Sequence, residues 1–243
     1  MKANKHCPRG IAILHDDRDI YVINKNEGIL TTGTGRKEEF TAEKAMSDYF
    51  RKGNHKSSRR VYLVHRIDRE TSGLLLFAKS EIAQQRLKDN WSANEKFYLA
   101  AVHGHLKEAQ GSISSYLAES ETFRVFAVTD PEQGRLARCT YAVIATTPKF
   151  SLVKVRLLTG RKHQIRVHFA DLGNPVYGDP RYGPKETQAK RLYLHAKHLA
   201  FNHPHSGERL TFNTAIPPVF SDLFRGFDET AWEKATPPEE RLP

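Results

Sequence analysis

The feature that most constrains the fold is the run Leu74-Leu75-Leu76-Phe77-Ala78, which contains no polar residue. A strand with one solvent face alternates apolar and polar residues, so an uninterrupted apolar run indicates a strand buried on both faces. Ser80 follows as a candidate N-cap, and Ala83, Leu87 and Trp91 continue at helical spacing. The run therefore predicts a strand followed by a helix, in a sheet that is covered on both sides.

Other segments predict more strands than helices. Four segments are predicted strands: 20–25, 97–102, 138–146 and 152–158, the last alternating Val153, Val155 and Leu157 against Lys154 and Arg156. Two segments have helical spacing, one from the N-cap Thr41 to Gly53 and one from Ile165 to Gly173. We therefore expect a single α+β domain over residues 1–243, with a loosely held acidic, proline-containing tail at 230–243.

The composition is typical of a soluble globular protein, with 39% hydrophobic and 27% charged residues. No apolar run approaches the roughly 18 residues that a membrane span needs. Residues 11–14 lead directly into a charged segment, so no signal peptide is predicted. Cys7 and Cys139 are too few for a disulfide framework. We expect a cytoplasmic protein without a membrane contact, and a monomer by default.

The charge balance favours a polyanionic partner. Lysine and arginine number 38 against 28 acids, which gives a net charge of +10 and a pI near 9.6. Nucleic acid is the obvious candidate, although many soluble proteins are simply basic. Between residues 51 and 69 one acid, Asp68, lies among these cations: Arg51, Lys52, Lys56, Arg59, Arg60, Arg66 and Arg69. A positive surface around one carboxylate is expected.

Asp68 itself has two interpretations. Arg66 and Arg69 flank it, and neighbouring cations favour the ionised form of a carboxyl group. An ionised carboxylate suits a nucleophile or a base, but an ordinary Arg–Asp ion pair at the entrance to a strand would look the same in sequence.

Several motifs resemble those of one enzyme family. The segment His65-Arg66-Ile67-Asp68-Arg69-Glu70-Thr71-Ser72-Gly73, followed by an apolar strand, resembles the catalytic motif of the RluA-type RNA pseudouridine synthases. Lys96-Phe97-Tyr98 is similar to the Lys-x-Tyr strand of that family. The segment from Leu158 to His168 is similar to its third motif, and weaker matches extend the resemblance to residues 11–218.

The resemblance implies a fold, a reaction and roles for residues. The fold is an α+β domain with a mixed, largely antiparallel sheet flanked by helices, and the reaction is isomerisation of uridine to pseudouridine in structured RNA. Asp68 is then the nucleophile or base, and Arg166 is its partner. Tyr98 lies in the active site, where its ring can stack on uracil and its phenol can take part in removal of the C5 proton. Arg66 is the candidate wedge that aids base flipping.

Two departures from the family pattern bear on recognition. Lys25-Asn26-Glu27-Gly28 lacks the usual proline of the first family motif, while its lysine and glycine remain. Many relatives carry an N-terminal S4-type module, but only about ten residues precede the match here, so we expect RNA contacts from the catalytic domain itself. Candidate phosphate contacts are Arg59, Arg60, Arg161 and Lys162, for which a solvated basic face is the alternative.

No cofactor and no metal are expected. The histidines at 195, 198, 203 and 205, and the pair His103 and His105, lack the spacing of common zinc sites. The segment 33–37 lacks the ending of a phosphate-binding loop, so no nucleotide cofactor is predicted. A glycosidase would use a second carboxylate, and Asp16, Asp17 and Asp179 stay open for that role.

The sequence leaves the target RNA open between ribosomal and transfer RNA, and we slightly favour 23S-type ribosomal RNA. The alternative to an enzyme is an RNA-binding ribosome-assembly factor or chaperone with secondary or no catalytic activity. A nucleoside-cleaving hydrolase is a third hypothesis, and it predicts free uracil rather than an isomer. Covalent and glycal routes both use Asp68, and the sequence does not separate them.

Overall fold

A computed structural model describes residues 7–33, 35, 39–54, 56–186 and 188–239, apart from the side chain of Ser92. The strands are β1 (Ile11–Asp16), β2 (Ile20–Lys25), β3 (Tyr62–Leu63), β4 (Ser72–Ala78), β5 (Glu95–His103), β6 (Gln110–Glu119), β7 (Val125–Val128), β8 (Arg135–Thr146), β9 (Phe150–Leu157), β10 (Leu194–Asn202) and β11 (Arg209–Asn213). The helices are α1 (Ala42–Arg51), α2 (Glu81–Asp89), α3 (Gln164–Asp171), α4 (Pro218–Leu223) and α5 (Thr230–Lys234).

Two compact units share the chain. The first contains residues 1–94 and 198–214, and the second contains 95–197 and 215–243. Within the first unit β2 pairs antiparallel with β1 and β4, β3 pairs with the end of β4, and β11 pairs with the last part of β10.

All seven residues of β4 are buried, as the apolar run predicted. Leu74 and Leu76 pack on one face with α2, and Leu75 and Phe77 pack on the other face with α1. The helices α2 and α1 therefore cover opposite faces of the sheet at β4, and no side chain of β4 is exposed to solvent.

Both helices of the first unit begin at the predicted caps. The Thr41 hydroxyl accepts from the backbone N–H of Lys44 and begins α1, and the Ser80 hydroxyl accepts from that of Ala83 and begins α2. The helix α1 ends when Lys52 adopts a left-handed conformation just before Gly53. Trp91 was predicted on the face of α2, but it lies in a separate 3-10 turn after that helix ends.

The second unit is built on five strands in the order β5-β9-β8-β6-β7, and neighbours are antiparallel. On one side Leu99 and Leu152 pack with α4 and α5, and on the other side Leu117 and Val125 pack with Val167 of α3. Among the described residues, the strand pairings within each unit are antiparallel, and one isolated bridge, between Leu30 and Thr41, is parallel. This largely antiparallel pairing agrees with the predicted α+β class.

The structure corrects one expectation about the second unit. The described part of the predicted loose tail contains α5, whose Trp232 is only 2% exposed; residues 240–243 lie outside the described part. This helix also covers the face of β9 that carries Lys154, since the Lys154 ammonium is buried and donates to the Trp232 carbonyl at 2.8 Å. The alternation in β9 therefore did not indicate a solvent-facing side.

Among the described residues, none of the helices combines the length and the apolar character needed to cross a membrane.

Candidate active site

The loop that carries Asp68 connects β3 to β4 in the first unit. Asp68 is half-buried, and its carbonyl accepts from the backbone N–H of Thr71 at 3.1 Å, which makes a tight turn before the strand. Arg66 and Arg69 are exposed on either side. The carboxylate is thus presented at the edge of a buried strand rather than on a free-standing loop.

A buried lysine fixes the C-terminal side of this loop. Lys25, at the end of β2, is fully buried. Its ammonium lies within hydrogen-bonding distance of the carbonyls of Asn26, Ile29, Arg69 and Thr71, at 3.0, 2.8, 3.3 and 2.7 Å, so its three N–H groups are shared among four acceptors. Hydrogen bonds from a charged donor are stronger than neutral ones, and burial increases the cost of breaking them. The Lys25 ammonium therefore cross-links the turn after β2 to the segment just beyond Asp68.

The N-terminal side of the loop is fixed by a hydroxyl and an imidazole. The Thr31 hydroxyl donates to the Ile67 carbonyl at 2.7 Å and accepts from the Ile67 N–H at 3.3 Å. The Leu76 N–H donates to Nε2 of His65 at 3.1 Å, so that nitrogen keeps its lone pair and the imidazole is a structural support. Asp68 is consequently held by anchored residues on both sides.

Tyr98 lies on β5 in the second unit, opposite Val155 of β9. Its side chain is buried, with 8% exposure. Lys96 is on the same face of the strand and is equally buried, and this burial lowers its pKa to about 8. The Lys-x-Tyr pattern therefore places two inward-facing polar side chains on one strand.

Arg166 lies in the first turns of α3, whose start is fixed by Gln164. The Gln164 amide oxygen accepts from the Thr159 hydroxyl at 2.8 Å and from the Arg161 N–H at 3.0 Å, and its nitrogen donates to the Arg138 carbonyl at 2.9 Å. These bonds tie the loop before the helix to β8. These bonds therefore fix the backbone position from which the Arg166 side chain extends.

Arg166 forms a buried bidentate ion pair with Asp179. Its Nε lies 2.7 Å from Oδ2, its Nη2 lies 2.8 Å from Oδ1, and both residues are at most 2% exposed. Oδ1 also accepts from the backbone N–H groups of Arg181 and Tyr182. Burial alone would raise the pKa of Asp179, but the hydrogen bonds and charge of Arg166 and the two backbone donors lower it below its usual value.

The ion pair bears on the proposed role of Asp179 as a second acid. The structure also identifies two residues that support the Asp68 loop and that the sequence did not predict as such, Lys25 and Thr31. Asp179 had stayed open as a second, proton-donating acid, but a carboxyl group with a lowered pKa is ionised at neutral pH and has no proton to give. Lys25 was noted only as part of a motif, and Thr31 was not among the predicted site residues. Its place as a single cation at the end of an apolar strand could have predicted that Lys25 is buried and hydrogen-bonded.

The predicted phosphate contacts are distributed over both units. In the first unit Arg59 and Arg60 are exposed, and their guanidinium groups lie over Phe50 and Tyr62 respectively. The Arg66 guanidinium makes no ion pair with any residue that the structure describes.

In the second unit Arg161 is exposed and donates to the Leu136 carbonyl at 2.9 Å, whereas Lys162 contacts Glu119 and the ring of Phe123. The structure thus brings Arg66 and Asp68 together in one loop, and it places Arg161, Lys162 and Arg166 together at the start of α3.

One group of side chains has the spacing of a metal site. Ligand atoms of Asp17, Asp19 and His203 lie within 4.8 Å of one another. However, Nδ1 of His203 accepts from the backbone N–H groups of His205 and Ser206, so its proton is on Nε2, which lies 3.2 Å from Asp17. Hydrogen bonding within a turn accounts for this group, and we assign it no metal. His195, one of the histidines set aside, is buried, and burial lowers its pKa to about 3.

Comparisons with known proteins agree with this geometry. A family model described as RNA pseudouridylate synthase matches residues 19–171. The dual-specificity RNA pseudouridine synthase RluA of Pasteurella multocida is 38% identical over 213 residues, which are 86% of this chain and 93% of that relative. The ribosomal large subunit pseudouridine synthase D of Zymomonas mobilis is 32% identical over 230 residues, which are 88% of this chain and 72% of that relative.

A solved structure supports the fold. Human RNA pseudouridylate synthase domain containing 1 superposes with a TM-score of 0.72 over 99% of this chain and 100% of that chain, at 23% sequence identity. Identity at this level is evidence for the fold alone. The predicted α+β architecture is confirmed by this likeness and by the strand pairings.

Proposed function

Since the chain belongs to the RNA pseudouridylate synthase family, we propose that it isomerises uridine in structured RNA with Asp68 as its reacting carboxylate. The reaction breaks the N1–C1′ bond, turns the base, and joins C5 to C1′, while C5 loses a proton and N1 gains one. Nothing is oxidised and nothing is added. One ionised carboxylate, acting as a nucleophile at C1′ or as a base on the ribose, is therefore the central chemical requirement.

The anchored loop around Asp68 is the observation that carries this proposal. Lys25 and Thr31 hold the backbone on the two sides of a half-buried carboxylate, which is otherwise expected to move with a surface loop. Effective nucleophilic attack needs atoms placed within a few tenths of an ångström. An ordinary Arg–Asp ion pair at the surface would not require the fully buried Lys25 ammonium to hold its backbone.

We further propose that Arg166 partners Asp68 and that Tyr98 stacks on the uracil. Asp179 holds the Nε and Nη2 side of the Arg166 guanidinium, and fixing that side defines the direction of the whole planar group. Tyr98 lies on a buried strand, where an aromatic ring loses little freedom when it binds a base. Its phenol is the candidate for removal of the C5 proton.

Arg66 is the candidate to fill the space left by the flipped nucleotide, because its exposed guanidinium makes no ion pair among the described residues. Arg59, Arg60, Arg161 and Lys162 are the candidate phosphate contacts. The protein is expected to act as a cytoplasmic monomer.

The target is proposed to be ribosomal RNA of the 23S type rather than transfer RNA. One relative is named for the large ribosomal subunit, which supports a ribosomal target, and another is named for dual specificity. The net charge of +10 suits a large, densely charged RNA.

The deciding experiment compares wild type with Asp68→Asn on unmodified transcripts of large-subunit ribosomal RNA and of transfer RNA. Pseudouridine is mapped along each transcript, and free uracil is measured in the supernatant. Wild type should form pseudouridine with no free uracil, and Asp68→Asn should form none. Asp48→Asn, which changes an exposed carboxylate on α1, should be as active as wild type.

Three outcomes would contradict the proposal. Persistent activity of Asp68→Asn would exclude Asp68 as the reacting group. Release of uracil would indicate a hydrolase, and RNA binding without any product would favour an assembly factor. Preferential modification of transfer RNA would overturn only the choice of target.

A further inference from the structure

The hairpin tip between β6 and β7, residues 120–124, has features that the reaction described above does not use. The tip is closed by two backbone bonds, from Ser120 to the Arg124 carbonyl at 2.8 Å and from Phe123 to the Ser120 carbonyl at 2.9 Å. The Ser120 hydroxyl adds contacts to Thr122 and to the Arg124 N–H. The tip is thus a defined turn and not an open loop.

The same tip is fixed to the start of α3. The Tyr182 hydroxyl accepts from the Val125 N–H at 3.1 Å and lies 2.8 Å from Nδ1 of His163, the residue before the helix. Arg181 donates to the Phe123 carbonyl at 2.6 Å. The guanidinium of Arg166 lies 5.3 Å from the centre of the Tyr182 ring. The hairpin tip therefore has a set position relative to the proposed catalytic arginine.

Phe123 at this tip is unfavourable for stability in two respects. Its φ of 59° is in the left-handed region, which favours glycine or asparagine over a bulky residue. Its side chain is 67% exposed, so burial gives little in return. A bulky residue held in a sparsely populated backbone conformation supports a hypothesis of function at that position.

One cation contacts the exposed ring, and others lie close to it along the chain or through backbone contacts. The Lys162 ammonium lies 5.3 Å from the centre of the Phe123 ring, and Arg124, Arg161 and Arg181 are all exposed nearby in the same unit. They outnumber the acids at this place, Glu119 and Glu121, and Glu119 is already engaged with Lys162. An exposed aromatic ring among cations fits a nucleic acid, whose bases stack and whose phosphates are negative.

We propose that Phe123 is a stacking platform for an unpaired base of the substrate RNA, with Lys162, Arg124 and Arg181 receiving the adjoining phosphates. This subsite rests on the proposed function for the identity of its partner, and it adds a recognition element outside the residues that perform the chemistry. Sequence-specific recognition of RNA commonly uses unpaired bases in loops, which an exposed ring can reach.

The test measures binding without requiring turnover. Fluorescence anisotropy is recorded with a labelled RNA stem-loop whose loop contains unpaired uridines, and with a fully paired RNA duplex of the same length. Phe123→Ala and Phe123→Gly should bind the stem-loop about 10-fold more weakly, in line with the loss of one base–aromatic stack, and should bind the duplex as wild type does. Ile82→Ala, at a 69% exposed apolar side chain of α2, is the matched control and should bind both RNAs normally.

Two further measurements separate stacking from a structural role. Phe123→Gly should melt at or above the wild-type temperature, because glycine relieves the left-handed backbone. Phe123→Trp should retain affinity, and its added emission should be quenched by the stem-loop but not by the duplex, beyond any change in wild type.

Unchanged stem-loop affinity in Phe123→Ala and Phe123→Gly would overturn the proposal, as would an equal loss on the duplex or an unquenched Phe123→Trp. If wild type makes no pseudouridine but these binding results hold, the proposed function fails and the stacking subsite stands.

Discussion

Replacing Asp179 by asparagine tests whether the buried ion pair is what positions Arg166. The substitution keeps the size of the side chain and one oxygen, but it removes the negative charge and places an amide N–H group opposite an Arg166 N–H group. The wild-type carboxylate accepts from Nε at 2.7 Å and from Nη2 at 2.8 Å, as well as from the Arg181 and Tyr182 N–H groups. An amide cannot satisfy all four donors.

The expected cost follows from burial. Arg166 and Asp179 are 2% and 1% exposed, and removing one partner of a buried pair typically costs about 3–5 kcal/mol, since the remaining charge is poorly compensated. For a chain of this size each kcal/mol corresponds to roughly 2–4 °C of melting temperature, so a loss of about 3 kcal/mol is a fall of roughly 6–12 °C. If Arg166 also shifts by about 1 Å, the single-turnover rate of pseudouridine formation should fall about 100-fold.

Denaturant unfolding and single-turnover kinetics measure the two effects, with Asp222→Asn at an exposed position of α4 as the control. The pH dependence has a definite sign. The pKa of Asp179 is lowered from 3.8 in the folded state, so its contribution is fully present above about pH 4 and is lost as pH falls through the folded pKa. The difference between wild type and Asp179→Asn should therefore be constant from pH 5 to 8.

Specific results would refute this reasoning. A loss of less than about 1 kcal/mol would mean that the pair contributes no more than a surface salt bridge. A difference that changes between pH 5 and 8 would mean that another group is responsible. Full activity in a variant that is clearly destabilised would show that Asp179 supports the fold without positioning Arg166.

Two other substitutions test the surroundings of the site. Lys25→Met removes the donor from the carbonyls that the ammonium contacts. We expect a loss of about 2–3 kcal/mol in unfolding free energy and about a 100-fold lower rate constant at saturating RNA. An unchanged rate would show that the ammonium does not position Asp68. Gly178→Ala would place a Cβ 1.9 Å from the Arg191 carbonyl oxygen at a φ of 75°, so a lower melting temperature and a lower rate are expected, and wild-type values for both would contradict the close approach.

The sequence predicted the elements that depend on local patterns. The apolar run of β4 and the caps Thr41 and Ser80 were identified correctly, because burial on both faces and capping have direct signatures in composition. Strands β6 and β7 were not predicted, since β6 is rich in serine and other small or polar residues and β7 has only four residues. The covered face of β9 was also missed, because it depends on α5, which is distant in sequence.

In the candidate site, too, local motifs were predictable from sequence and contacts between distant segments were not. Motifs that resemble those of the family predicted Asp68, Tyr98 and Arg166 as site residues, because a motif is readable in a short stretch of sequence. Hydrogen bonds between distant segments could not be inferred in this way: the Lys25 ammonium reaches Arg69 and Thr71 only after β2 and β4 have paired, and the partner of Lys25 across that pairing is Gly73.

The pairing of β2 with β4 therefore does more than build the core of the first unit. Its register places Lys25 opposite Gly73, directly beyond the turn that carries Asp68, and burial on both faces of the sheet keeps water from competing for the four carbonyls. A slip of one residue would turn the ammonium to the other face of β2 and away from these carbonyls. The position of Asp68 consequently depends on the apolar residues of β4 that are buried on both faces of the sheet. Variants of β4 that keep the stability of the fold but loosen the register with β2 should therefore have lower activity.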